Sequence, residues 1–319
     1  MKLLYTLLLT SSFLIGEETE ELHLTSAPSF TAPSLPAIPE SPKAPLLAKP
    51  HRNSFFATTL AFIPGLGHVY LGDLKTAGTL FGSATLSSGL ENNKNTNTYS
   101  LLFSSQNITF YSVYAAYRDV RINNEQRGYR YTMPTDSFQD LTFAPFRWSV
   151  LKKPEVWGGL LGSLAAASAV SYFLFEPDSH IACSTKNSTI LPFAAFSIGL
   201  GEEAFFRGYL QSFLAERMSP AAAITTSSLV FGAAHIGNIL TVENDQVVLV
   251  ENWREYLTYG IPFISTLGGY MGWLTHKNRS LQQSVALHAW YDFAIFLSQA
   301  VATPTAMAGS PRFAYSISF

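Results

Sequence analysis

From residue 54 onward, apolar residues come in long runs separated by short polar breaks. The runs cover 54–72, 76–91, 100–118, 156–176, 189–213, 219–240, 257–275 and 280–301. A helix needs about 20 mostly apolar residues to cross the hydrocarbon core of a bilayer, and most of these runs reach that length. Segment 76–91 is the weakest, being short and rich in Ser and Gly. Small residues inside such segments let helices approach closely. The pattern predicts an all-α membrane protein, a polytopic helical bundle of about eight transmembrane helices.

The flanks read differently. Residues 1–16 place Lys2 before a short apolar core and an acidic patch follows, the pattern of a signal peptide or signal anchor. Residues 17–53 form a Pro-rich linker with no packed core. The remaining chain divides into an N-terminal helical hairpin module (54–121), a polar inside connector (122–153), a core domain (154–301) and a tail (302–319) whose last residues alternate apolar and polar. In the module, Pro64, Gly65, Gly67, Gly72 and Gly78 break and pack a helical hairpin. This stretch resembles a short glycine-rich module of bacterial membrane proteins. His68 within it is expected at the membrane interface.

Composition agrees with lipid as the solvent. Charged residues make up 13% and apolar ones 47%, where soluble domains carry about 25% charged. The net charge of −2 offers no basic surface for nucleic acid. Cys183 is the one cysteine, which excludes an intramolecular disulfide and a cysteine-ligated metal cluster. With the linker outside, Lys75, the basic connector, Arg217, Lys277 and Arg279 fall inside, as the positive-inside rule requires. Cys183 and the acidic loop 241–256 fall outside. The expected location is an integral, multi-pass protein of a bacterial inner membrane.

Ionisable residues within membrane segments are costly and mark function. Three clusters stand out. In GEEAFFRGYL (201–210), Glu203 and Arg207 lie one helical turn apart and form a pair. Glu202 points about 100° away and is left to act as a base. In FGAAHIGN (231–238), His235 lies one turn after Phe231, and Asn238 is placed to hydrogen-bond locally. In LHAWYDF (287–293), His288 and Asp292 share a helix face. Asp292 there can fix the imidazole tautomer or join it as a metal ligand. Each cluster alone is also compatible with a structural ion pair or a satisfied core histidine. Together they bring two imidazoles and carboxylates about 10–25 Å deep from the inside face, a set suited to hydrolysis.

The motifs EEAFFR, FGAAH and HAWYD, in that order, resemble those of the CAAX-protease and bacteriocin-processing family of intramembrane endopeptidases. The resemblance covers about residues 150–300. It implies Glu202 as the base that activates water, Glu203 as its assistant and Arg207 as the residue that holds the pair. It implies His235 and His288 as groups that polarise the scissile carbonyl or bind a metal, with Asp292 where Asn is common. Zinc held by His235, His288 and Glu202 and a metal-free glutamate mechanism both remain open. The implied substrate is a peptide or protein within the membrane. Two other classes stay in view: a catalytically silent scaffold that binds a peptide or partner in the same cavity, and a transporter with a proton relay.

Overall fold

The computed structural model describes residues 50–91, 98–174, 191–243, 246–250 and 253–301. The signal segment, residues 17–49 of the linker, Cys183 and the tail lie outside the described residues. From Pro50 onward the chain forms one compact unit.

The N-terminal module opens with two short helices, α1 (Ser54–Leu60) and α2 (Leu66–Leu71). The single span expected over 54–72 is therefore broken. The Asn53 side chain accepts from the amides of Phe55 and Phe56 to start α1, a standard N-cap. Gly65 ends the break between them at φ +89°, and a Cβ there would sit 2.3 Å from the Ala77 carbonyl oxygen. Only glycine fits that turn. His68 on α2 is fully buried within the protein. Two long helices follow, α3 (Leu74–Glu91) and α4 (Thr98–Asn123), packed against each other.

The connector is more ordered than a loop. A capping box of Ser137 and Asp140 starts α5 (Phe138–Phe143), and a 3₁₀ turn (Ala144–Phe146) leads to α6 (Trp148–Leu151). Asp136 accepts hydrogen bonds from Ser280 Oγ (2.8 Å), Leu281 N (2.8 Å) and Gln282 Nε2 (3.0 Å). It thereby caps the last helix from a distance of more than a hundred residues in sequence. Trp290 Nε1 donates to the Pro145 carbonyl at 2.8 Å, so the connector runs along that helix.

The core comprises α7 (Pro154–Leu174), α8 (Leu191–Glu203), a π-helical segment (Ala204–Leu210), α9 (Gln211–Ala215) and α10 (Pro220–Ala234). After α10 come a 3₁₀ turn (His235–Ile239) and an antiparallel hairpin of β1 (Leu240–Glu243) and β2 (Gln246–Leu249). Then follow α11 (Trp253–Glu255), a second π segment (Tyr256–Gly260), α12 (Ile261–Asn278) and α13 (Gln282–Val301). Helix α8 lies along α13, and α10 along α12. Phe206, Phe231, Met271, Leu274 and Leu287 fill the space between these pairs.

The molecule is helical, as the apolar runs predict, with the short hairpin as an addition. Among the described residues, no helix is long and apolar enough to cross a membrane. The runs are interrupted within themselves. Run 54–72 turns at Gly65, run 189–213 passes into π geometry at Ala204, and run 219–240 leaves the helix after Ala234. Helix α4 carries Asn107, Arg118, Asp119 and Arg121.

Candidate active site

The three clusters meet between α8, α10 and α13. Glu202 and Glu203 form the last turn of α8, at the point where the helix widens into π geometry. Such π segments insert a residue into the helical ladder and often mark functional sites. Here the widened turn carries Arg207. Arg207 Nη1 donates to Glu203 Oε1 at 2.8 Å, and both side chains are fully buried. The same oxygen lies 2.8 Å from His288 Nδ1 on α13. Glu203 thus holds a guanidinium and an imidazole at once.

The other nitrogen of His288 also faces carboxylates. Asp292 Oδ2 is 3.3 Å from Nε2, one turn along α13, and Glu202 Oε2 is 3.7 Å away. All four groups are buried. Separating a buried charge from its partner costs several kcal/mol, so Glu203 is held in place by Arg207 and His288 together.

His235 sits at the C-cap of α10 and opens the 3₁₀ turn, rather than lying within a continuous helix over 219–240. Its Nδ1 is 2.8 Å from the Phe231 carbonyl oxygen. A carbonyl only accepts, so Nδ1 carries the proton. The Phe231 ring is the hub that the sequence did not single out. Arg207 stacks over it at 4.1 Å, and the rings of His235 and His288 meet it edge-on at 4.7 and 5.9 Å. The one sequence signal for this role is its position four residues before His235. Asn238 does not bond locally. Its Nδ2 donates to the Tyr256 hydroxyl at 2.9 Å, on the second π segment.

Glu202, His235, His288 and Asp292 line one wall of a cavity of about 60 Å³, room for a few water molecules. Ile198, Phe263, Leu267, Met271 and Ile295 line the apolar side. Glu202 Oε2 is buried without a hydrogen-bond partner. Glu203 is not part of the cavity wall.

Residues 185–294 match the family model described as type II CAAX prenyl endopeptidase Rce1-like. The match covers about a third of the chain and supports the CAAX-protease and bacteriocin-processing family for this segment. The match spans all three motifs, from the helix that bears Glu202 to the one that bears Asp292. No curated protein and no solved structure matches the chain.

The donor types of the CAAX-protease segment suit zinc, but their arrangement does not. Among the described residues, no group of three or more His, Cys, Asp or Glu side chains is set to hold a metal ion. The trio His235, His288 and Glu202 is accordingly not a ligand set in this geometry. Nδ1 of His288 meets Glu203, and Nε2 faces Asp292 and Glu202.

Proposed function

We propose that this chain is an intramembrane endopeptidase that hydrolyses peptide bonds with a water activated by Glu202. The observation that carries this reading is the unequal state of the two glutamates. The carboxylate of Glu203 is engaged by Arg207 and His288. Each glutamate keeps one buried oxygen that no protein group hydrogen-bonds, but only that of Glu202 belongs to a residue on the cavity wall. A buried acceptor of that kind binds and polarises water.

In this mechanism Glu202 takes a proton from water as the oxygen attacks the scissile carbonyl. The proton then passes to the leaving amine as the C–N bond breaks, so the carboxylate is regenerated. The oxyanion needs a donor. His235 donates from Nε2 only as imidazolium, because Nδ1–H is committed to Phe231; as the neutral ring it accepts from water instead. His288 has a donor role at Nε2, steadied by Asp292. Arg207 positions Glu203, and Glu203 positions His288. No step is routed through a metal.

The same reading takes the bundle of about eight helices as embedded in the lipid bilayer, multi-pass, in a bacterial inner membrane, with a peptide or protein as substrate. Large apolar side chains on the outer surface support it, among them Phe81, Leu161, Phe193 and Leu229. Patches of this kind on a protein surface call for an apolar neighbour. The test is cleavage of a peptide library by purified protein in liposomes. The expected outcome is cleavage by the wild type and none by His235→Ala at matched expression and folding. Cleavage at the wild-type rate by that variant would end the proposed mechanism. Peptide binding without hydrolysis by the wild type would favour a silent scaffold.

A further inference from the structure

The cavity wall carries polar side chains that the mechanism leaves unused, Asn238 among them. Asn238 lies three residues beyond His235 on the 3₁₀ turn and lines the cavity beside Glu202 and His288. Its side chain is 4% exposed. Its Nδ2 is spent on the Tyr256 hydroxyl, which fixes the plane of the amide. Its Oδ1 is buried with no hydrogen-bond partner. A buried acceptor left open is costly to the fold unless water or a ligand completes it. The facing wall is apolar, built from Ile264, Leu267, Met271 and Phe296 among others. Sites of this make-up bind a mostly apolar ligand and orient it with a few placed polar groups.

We propose that Asn238 is a substrate-binding residue: its Oδ1 accepts a main-chain N–H of an extended peptide beside the scissile bond, while an apolar side chain of that peptide fills the opposite wall. The spacing supports this assignment. One turn of chain carries both His235 and, three positions on, Asn238, so a peptide held by Asn238 passes beside His235. Tyr256 acts through Asn238 as a positioning residue. The catalytic half of this picture rests on the protease reading above; the binding half does not.

The test separates the two. Binding is measured on Glu202→Gln protein in liposomes, so that no ligand is cut. The probe is an end-blocked hexapeptide of alternating Leu and Ala, together with its ester analogues, each of which replaces one main-chain N–H by oxygen. The expected result is that one ester binds about tenfold more weakly than the amide, the scale of one hydrogen bond. Asn238→Leu in the same background should bind that ester and the amide equally. Tyr256→Phe, which leaves the Asn238 amide in place without its anchor, should show a reduced preference and serves if Asn238→Leu does not fold. An unchanged tenfold preference in Asn238→Leu would overturn the assignment, as would failure of the hexapeptide to bind at all. Loss of cleavage in the wild type with the binding pattern intact would refute only the protease reading.

Discussion

Two buried groups in this protein share a composition and differ in use. In the first, Glu203 holds Arg207 and His288 at 2.8 Å each. In the second, Asp119 on α4 holds Arg118 at 2.7 Å and His68 at 3.1 Å. Each is a carboxylate shared by a guanidinium and an imidazole. In the second, Arg118 takes both oxygens of Asp119, and His68 shares one. The carboxylate is also about a quarter exposed, at 27%. The group ties α2 to α4. In the first, Glu203 is fully buried and Arg207 and His288 nearly so, and two further carboxylates, Glu202 and Asp292, stand on the far side of the imidazole. The triple by itself is a packing device. The two added carboxylates, set with the imidazole against a cavity, are what distinguish the candidate site.

Exchanging the histidines tests that contrast hardest. His288→Gln is expected to lower cleavage by about 10²–10⁴-fold, the range for a lost acid–base group. His68→Gln should leave turnover unchanged, and steady-state rates of the two variants check this. Equal losses would erase the distinction between the groups.

The arginines come next. Arg207→Met leaves the buried Glu203 with His288 as its remaining partner and is expected to cost about 3–5 kcal/mol. Arg118→Met leaves a carboxylate that water can reach, at a cost of no more than about 2 kcal/mol. Denaturant unfolding of both variants measures the difference. A larger loss at Arg118 would contradict the account.

Phe231→Leu sharpens the picture of the first group. It removes the ring on which Arg207 stacks and against which both histidines pack. The expected cost is about 1–3 kcal/mol, with a fall in kcat rather than a rise in KM, since Phe231 orients the imidazoles. A rise in KM alone would assign it to substrate binding instead.

The smallest effect lies in the connector, which belongs to neither group but caps α13. At Asp140, burial acts to raise the carboxyl, yet hydrogen bonds from Ser137 and Arg147 outweigh it and hold the group below the usual carboxylate range. A lowered folded value means that the stabilisation is complete above the unfolded pKa of about 3.9 and is lost as pH falls through the folded value. Asp140→Asn is therefore expected to cost at most about 1 kcal/mol near neutrality. The difference from wild type should vanish in acid, as followed by melting temperature against pH. A difference that grows in acid would reverse the sign.

Much of this was legible in the chain itself. The run 280–301 appears as α13, and 156–176 as α7, because uninterrupted apolar sequence has no competing turn signal. The pairing of Glu203 with Arg207 follows from a four-residue spacing. Run 54–72 has the length of one span, but Pro64 and Gly65, the hairpin breakers at its centre, divide it into two short helices. The end of α10 at Ala234 was hidden because the residues after it, Ile236 to Leu240, are as apolar as those before. Within the site, what spacing cannot encode is partnership across the fold. Glu203 meets His288 over 85 positions, and Asn238 meets Tyr256 across the hairpin. The role of Phe231 depends on three helices at once.

The central claim is a division of labour between two adjacent glutamates, and the most direct measurement takes Glu202→Gln and Glu203→Gln side by side, recording unfolding temperature and cleavage rate for each. The account predicts that Glu202→Gln keeps the wild-type melting temperature and loses cleavage, while Glu203→Gln melts well below the wild type because Arg207 and His288 lose their shared partner. Cleavage retained by Glu202→Gln, or destabilisation falling on Glu202 instead of Glu203, would contradict it.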